Sequence, residues 1–281
     1  MKKTRILLAI MLALSFLLQG CLDVKDPPAS TGDPSIKSYY ATAEYRYHTD
    51  VEPVLSSLLT GLSSTYLRLV NKTHTVSRLD APASLVRLPT SQTNYGKTVE
   101  LERRTATALE AMLAEMAAAG ITPKVTSGYR TYAYQESLFN NYLNIESSTI
   151  TADARAFLGE DYIRENYTSR GLTSLNDTDA RRVVLSYSAY PGTSEHQTGL
   201  CLDFVAYDGG SLDASFENTQ AFRWLSQNAY KFGFILRFPA DKTEITGYSY
   251  EPWHYRFVGR EAATDIYMNG LTLEEYLGEV G

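Results

Sequence analysis

Apolar residues recur at three-and-four spacing over 98–119, where Leu101, Thr105, Ala108, Leu109, Met112, Leu113 and Met116 share one face. That period predicts an amphipathic helix whose methionines are core, with Thr98 able to cap its start and Gly120 to stop it. Ile121 to Thr126 then reads as a short strand, and Pro123 near its entry suits an edge or an irregular start. A second helix, capped by Thr131, is expected over 132–142. A third over 177–187 puts Ala180, Val183, Val184 and Tyr187 on one side, and a fourth over 218–232 does the same with Ala221, Trp224, Leu225, Asn228 and Phe232 before Gly233. Residues 234–238 and 248–258 read as strands, and two short helices over 260–269 and 271–277 end the chain. Upstream, 51–62 (VEPVLSSLLTGL) has the spacing of a short helix, and Tyr66 to Val70 alternates like a strand running into the turn-like Asn71-Lys72-Thr73-His74. Residues 145–175 are polar and mixed and carry no sustained period. Helices and short strands in this order predict an α+β fold, with a small, mostly antiparallel sheet and helices packed against it.

The first twenty residues follow another pattern. Lys2, Lys3 and Arg5 precede an apolar run over 6–18 that is too short to cross a bilayer as a mature helix, the form of a cleaved targeting segment. The run ends in Leu18-Gln19-Gly20-Cys21, which resembles a bacterial lipobox, with Cys21 the residue to be acylated. Acyl chains would tether the protein to a membrane rather than span it. Asp23 to Lys37, rich in Pro, Ser, Asp and Gly, reads as a flexible spacer. The expected organisation is a lipoprotein signal over 1–20, a linker over 21–37 and a single domain with a short N-terminal extension over 38–281.

Loss of the signal removes three basic and no acidic side chains and takes the formal charge from −6 to −9. So acidic a body argues against a nucleic-acid partner. With Cys21 consumed by lipid, Cys201 is left alone and no disulfide can stabilise the monomer. Stability must come from the core, for which a 44% apolar composition suffices.

Chemistry concentrates in two windows, SEHQTGLCLDF (194–204) and EPWHYRFVG (251–259), which hold two of the four histidines. A catalytic zinc takes about three protein ligands of the His and carboxylate kind and keeps one position open. His196, Asp203 and His254 are such a set, and Glu251 is left over as a base for the attacking water. His196 and Asp203 are seven apart, an odd separation that would put them on opposite faces of one strand. A turn at Gly199 can restore a common face, and Pro252 can do the same between Glu251 and His254.

SGYR (127–130), SEHQTGLCLD (194–203) and EPWHYRFVG together resemble, in order and spacing, the signatures of the VanY-type D-alanyl-D-alanine carboxypeptidases, zinc peptidases of the bacterial cell wall. The resemblance runs from about residue 66 to about residue 268. It implies one Zn2+ per chain, Arg130 at the scissile carbonyl, and substrate contacts from Gln135, Ser194 and Trp253. It also implies a substrate, the peptidoglycan stem peptide, from which a terminal D-alanine is removed with D,D or L,D specificity, outside the membrane. His74 reads as a solvated loop residue. Cys201 departs from the family pattern, which has a small residue, often Ala, at this position. It should face the same way as Asp203 and could bring sulfur toward the metal, although free Cys is more often a small buried hydrophobe. Two other readings stay open: a peptidoglycan endopeptidase, and a cell-wall-binding lipoprotein whose metal site is inactive.

Overall fold

The computed structural model describes residues 64–279, all of which fall in one compact unit, Gly32–Gly281. The targeting segment, Cys21, the spacer and the helix expected over 51–62 lie outside the described residues.

Strands β1 (Leu85–Arg87) and β2 (Glu100–Glu102) pair antiparallel, and helix α1 (Arg103–Ala118) follows at once. The cap of α1 is Glu102, whose carboxylate accepts from the backbone N–H groups of Arg104 and Thr105, and not Thr98. Val99 and Leu101 enter the core from extended backbone, so β pairing overrides the helical period at this end. Strand β3 (Lys124–Ser127) leads to α2 (Tyr132–Ser148), capped as expected by Thr131. The stretch over 145–175, which carries no sustained period, holds two seven-residue helices, α3 (Ala152–Leu158) and α4 (Glu160–Asn166). Ala154, Ile163, Tyr167 and Leu175 form a satellite core with Ala180 and Val183 of α5 (Asp177–Tyr187). Two turns are too short to show a period, which is why that stretch looks featureless in sequence.

The chain continues through β4 (Cys201–Val205), α6 (Gln220–Asn228), β5 (Phe234–Leu236), β6 (His254–Phe257), α7 (Arg260–Asn269) and α8 (Leu273–Leu277). The helix expected to reach Phe232 tightens into a 3-10 turn after Asn228. Tyr66 to Val70 is not a strand: Ser64–Leu67 is a 3-10 turn, and the carbonyls of Tyr66 and Arg68 accept from the Arg256 guanidinium instead of a neighbouring strand. Among the described residues no helix is long and apolar enough to cross a membrane.

The four-stranded sheet has the order β3-β4-β6-β5, with every pair antiparallel. One face is the core. Leu202 and Phe204 of β4 and Tyr255 and Phe257 of β6 pack there with Leu109, Met112 and Met116 of α1. The opposite face of the same two central strands carries Cys201, Asp203, His254 and Arg256. It is as buried as the core face, so its polar groups must find partners inside the protein.

Two glycines lock loops against this frame. Gly128 has no room for a side chain, since a Cβ there would lie 2.6 Å from the Glu100 carbonyl. Gly199 has φ +69°, and a Cβ would lie 2.9 Å from the Glu102 backbone nitrogen. Gly199→Ala should therefore cost both left-handed strain, about 1–2 kcal/mol, and a backbone clash. Gly120→Ala is the control, with φ +76° and nothing within 4 Å of the added carbon. Urea denaturation should show the larger loss for Gly199→Ala; equal losses would mean that the close packing on β2 contributes nothing.

Candidate active site

Asp203 and His254 face each other as direct cross-strand partners at the centre of the sheet. A bulge at Thr126 in β3 sets Ser127 opposite Asp203 as well. His196 comes from the 3-10 turn Glu195–Thr198, which Gly199 reverses into β4, and so reaches the side of the sheet that Asp203 occupies. Pro252 lies within a turn closed by the His254 N–H on the Glu251 carbonyl, 3.1 Å, and this returns Glu251 to the same side as His254.

The four side chains converge. His196 Nε2 lies 3.3 Å from Asp203 Oδ2, and His254 Nδ1 lies 3.0 Å from Asp203 Oδ1 and 3.5 Å from Glu251 Oε2. The imidazole rings stand 5.0 Å apart and perpendicular. Each ring is fixed from behind. His196 Nδ1 donates to the Gly128 carbonyl at 2.7 Å, and His254 Nε2 donates to Glu195 Oε1 at 2.8 Å. A carbonyl and an ionised carboxylate can only accept, so the proton of each neutral ring sits on the outer nitrogen and the lone pair points inward.

Asp203 Oδ1 is buried and has no hydrogen-bond partner among the described residues, although the His254 Nδ1 lone pair is close. Two facing lone pairs in a dry site call for a cation between them. The electrostatics agree. Burial opposes charge on Asp203, yet the two histidines hold its carboxyl well below the usual range. Burial and Arg130 push the His196 imidazole down, but Cys201 and Asp203 outweigh them and leave it at about 9. The field at this point favours positive charge, and the donor set of two imidazoles and one carboxylate is that of a catalytic zinc. Burial raises the Glu251 carboxyl to about 7, against lowering by His254.

Arg130 sits at the rim, where Nε donates to Ser127 Oγ, Nη1 to Gln135 Oε1 and Nη2 to Asp203 Oδ2, at 3.0, 3.2 and 3.1 Å, and each Nη carries a second N–H. Gln135 stands one layer back, buried, its other amide end donating to the Ala189 carbonyl. Ser194, Glu251 and Trp253 line a cleft of about 390 Å³ together with the two histidines, Asp203 and Arg130. Tyr142 of α2, Asp153 of α3 and Asp213 of the loop after β4 also line it. His74 lies apart from this cleft, half-exposed beside Glu279.

The sequence reading missed what stands behind the site. Glu195 Oε2 accepts from Arg237 Nε at 3.0 Å and from Arg256 Nη1 at 2.9 Å, and Arg237 holds Glu274 of α8 through two parallel bonds of 2.9 and 2.7 Å. Both arginines are fully buried. An arginine inside each of two apolar strands, FILRF and HYRF, was the available signal, because such a charge requires a buried partner.

A family model described as D-alanyl-D-alanine carboxypeptidase, VanY, matches residues 98–260. The chain belongs to the VanY family. The D-alanyl-D-alanine carboxypeptidase of Enterococcus faecalis is 43% identical over 158 residues, which are 56% of this chain but only 48% of that one, about half its length. The putative carboxypeptidase YodJ of Bacillus subtilis is 32% identical over 241 residues, covering 84% of this chain and 76% of its own. Among solved structures, the LD-carboxypeptidase LdcB superposes with a TM-score of 0.60 at 33% identity, over 76% of this chain and 86% of that one. A mutant of the vancomycin-resistance D,D-pentapeptidase VanY, in complex with Zn(II), does so at 0.56 and 35%, over 76% and 99%. The VanY-family structures share the α+β architecture found here.

In this VanY-family chain Glu195 should matter nearly as much as the residues it supports. Glu195→Ala leaves Arg256 without a counter-charge and takes one of the three carboxylate bonds of Arg237, and should cost about 3–5 kcal/mol. Glu195→Gln should fold better but bind zinc about 10–100-fold more weakly, which competition with a chromophoric chelator would measure. Burial would raise the Glu195 carboxyl, and Arg256 and Arg237 together drive it well below the usual range. A depressed carboxylate contributes stability that is fully present above its unfolded pKa of about 4.3 and is lost as pH falls below it. Denaturation of the metal-free protein should show that acid-side loss in the parent and a shallower one in Glu195→Gln; identical slopes would remove Glu195 from the account.

Proposed function

We propose that this chain is a zinc-dependent carboxypeptidase that removes a C-terminal D-alanine from peptidoglycan stem peptides. The observation that carries the reading is the registration of Asp203 opposite His254 on the central strands, with His196 and Glu251 brought in by turns on either side. His196 Nε2, Asp203 and His254 Nδ1 would hold the ion. Zinc, when bound, polarises the scissile carbonyl and lowers the pKa of a water to about 7.

The chain's own groups do the rest. Glu251, lifted by burial to about 7, is matched to take the proton of the attacking water and to pass it to the departing amine. Arg130 turns N–H donors toward the carbonyl oxygen as charge develops on it. Gln135, by its position, acts through Arg130 by fixing the guanidinium plane. Ser194 and Trp253, on the cleft wall, would contact the peptide.

Purified protein incubated with penta- and tetrapeptide muropeptides should release one alanine, read by mass spectrometry. The peptide consumed distinguishes a D,D bond from an L,D bond; cleavage within a cross-link would instead make the protein an endopeptidase, and no cleavage would favour a binding protein. Chelator should stop the reaction and zinc restore it. Glu251→Gln should lose turnover by about 10²–10⁴-fold while keeping zinc; a variant with near-parental turnover would show that another group is the base.

The same reading places the enzyme on the outer face of a bacterial membrane, held by lipid on Cys21. Cells fed a labelled fatty acid should transfer label to the parent chain and not to Cys21→Ser, and label on both would remove the anchor from that position.

A further inference from the structure

The Cys201 side chain faces the site, not the core. It lies on β4 two residues before Asp203, on the same face, and opposite Arg256 of β6. The residue has no exposed surface. Its Sγ and one ring nitrogen each from His196 and His254 all lie within 4.8 Å of one another. A cysteine that merely fills space is surrounded by apolar groups, whereas this buried thiol is set beside two imidazoles. An ion that reaches sulfur at about 2.3 Å and nitrogen at about 2.1 Å spans about 4.4 Å from donor to donor at most. In a tetrahedral site the same bonds place sulfur and nitrogen about 3.6 Å apart, so the three donors would draw together as the ion binds.

We propose that Cys201 is a fourth protein donor to the metal of this site. The proposal rests on the zinc reading above. The S–H bond is exchanged for a sulfur–metal bond, and the proton leaves to solvent. A thiolate added to two imidazoles and a carboxylate completes a four-donor set, the closed form of a zinc site. Hydrolysis then requires the sulfur to give way or the coordination to expand to five, so Cys201 holds the substrate-free enzyme in a slow, tightly metallated state. A soft donor also shifts the preference of the site toward thiophilic ions.

Cobalt reports directly on this. The metal-free full chain, titrated with Co(II), should develop a sulfur-to-cobalt charge-transfer band in the near ultraviolet along with the visible ligand-field bands. Cys201→Ala should keep the visible bands, lose the charge-transfer band entirely and, loaded with zinc, cleave the stem peptide faster than the parent. Cys201→Ser, nearly isosteric, should lose the band too and covers the case in which the alanine variant folds poorly. A parent spectrum that superimposes on that of Cys201→Ala, with cobalt bound and peptide cleaved, overturns the proposal and leaves the carboxypeptidase reading standing. A charge-transfer band in the parent, with no peptide cleaved by the parent or by either variant, would do the reverse. Failure of the parent and both variants to take up cobalt would overturn both.

Discussion

Four buried charges set the geometry of this protein. Arg237 and Arg256 are fully enclosed, and Glu195 and Glu274 nearly so, and between them the two pairs balance. Removing any one of them would leave an uncompensated charge in a dry interior, so the four must stay together. They come from the residue after β5, from β6, from the turn before β4 and from α8, and Arg256 also ties down the chain at Tyr66 and Arg68. The His254 side of the site follows from that clamp. His254 takes its orientation from Glu195, Glu195 is held by the arginines, and Arg256 is two residues along the same strand face as His254.

How much of this can be seen in the sequence depends on the range of the interaction. Helices with several turns and one apolar face announce themselves, and α5 and α7 occur at the predicted bounds. Thr131 caps α2 as its side chain and position suggest. Failures come where distant groups decide. Thr98 loses the cap to Glu102 because β1 recruits residues 100–102 into a strand, and nothing local to Thr98 reports the existence of β1. Tyr66 to Val70 alternates like a strand, but a guanidinium 190 positions away in sequence takes its carbonyls.

The site shows the same division. His196, Asp203, His254 and Glu251 stand out because few other roles suit those residue types at those spacings, and turns at Gly199 and Pro252 solve the parity problem that the spacing raises. Glu195 was passed over despite adjoining His196, because its importance lies in arginines 42 and 61 residues away. Gln135 is read as a substrate contact from its place beside SGYR, and the structure adds that its buried amide joins Arg130 to the Ala189 carbonyl, a link that the local sequence does not announce.

A sheet whose two faces are both buried, one apolar and one charged, divides stability from chemistry. Leu202, Phe204, Tyr255 and Phe257 bind the strands to α1 and supply hydrophobic burial that needs no help from the other side. The site face can then carry groups that oppose folding: an acceptor oxygen without a donor, a carboxyl raised to about 7, and a thiol beside two imidazoles. These are unfavourable by themselves, and a cation would relieve the first and third at once. Strands alternate with a period of two, so each core residue on β4 and β6 fixes the direction of its site neighbour. Changes to the apolar face that slip the register by one residue would therefore exchange the two faces and place Asp203 and His254 in the core.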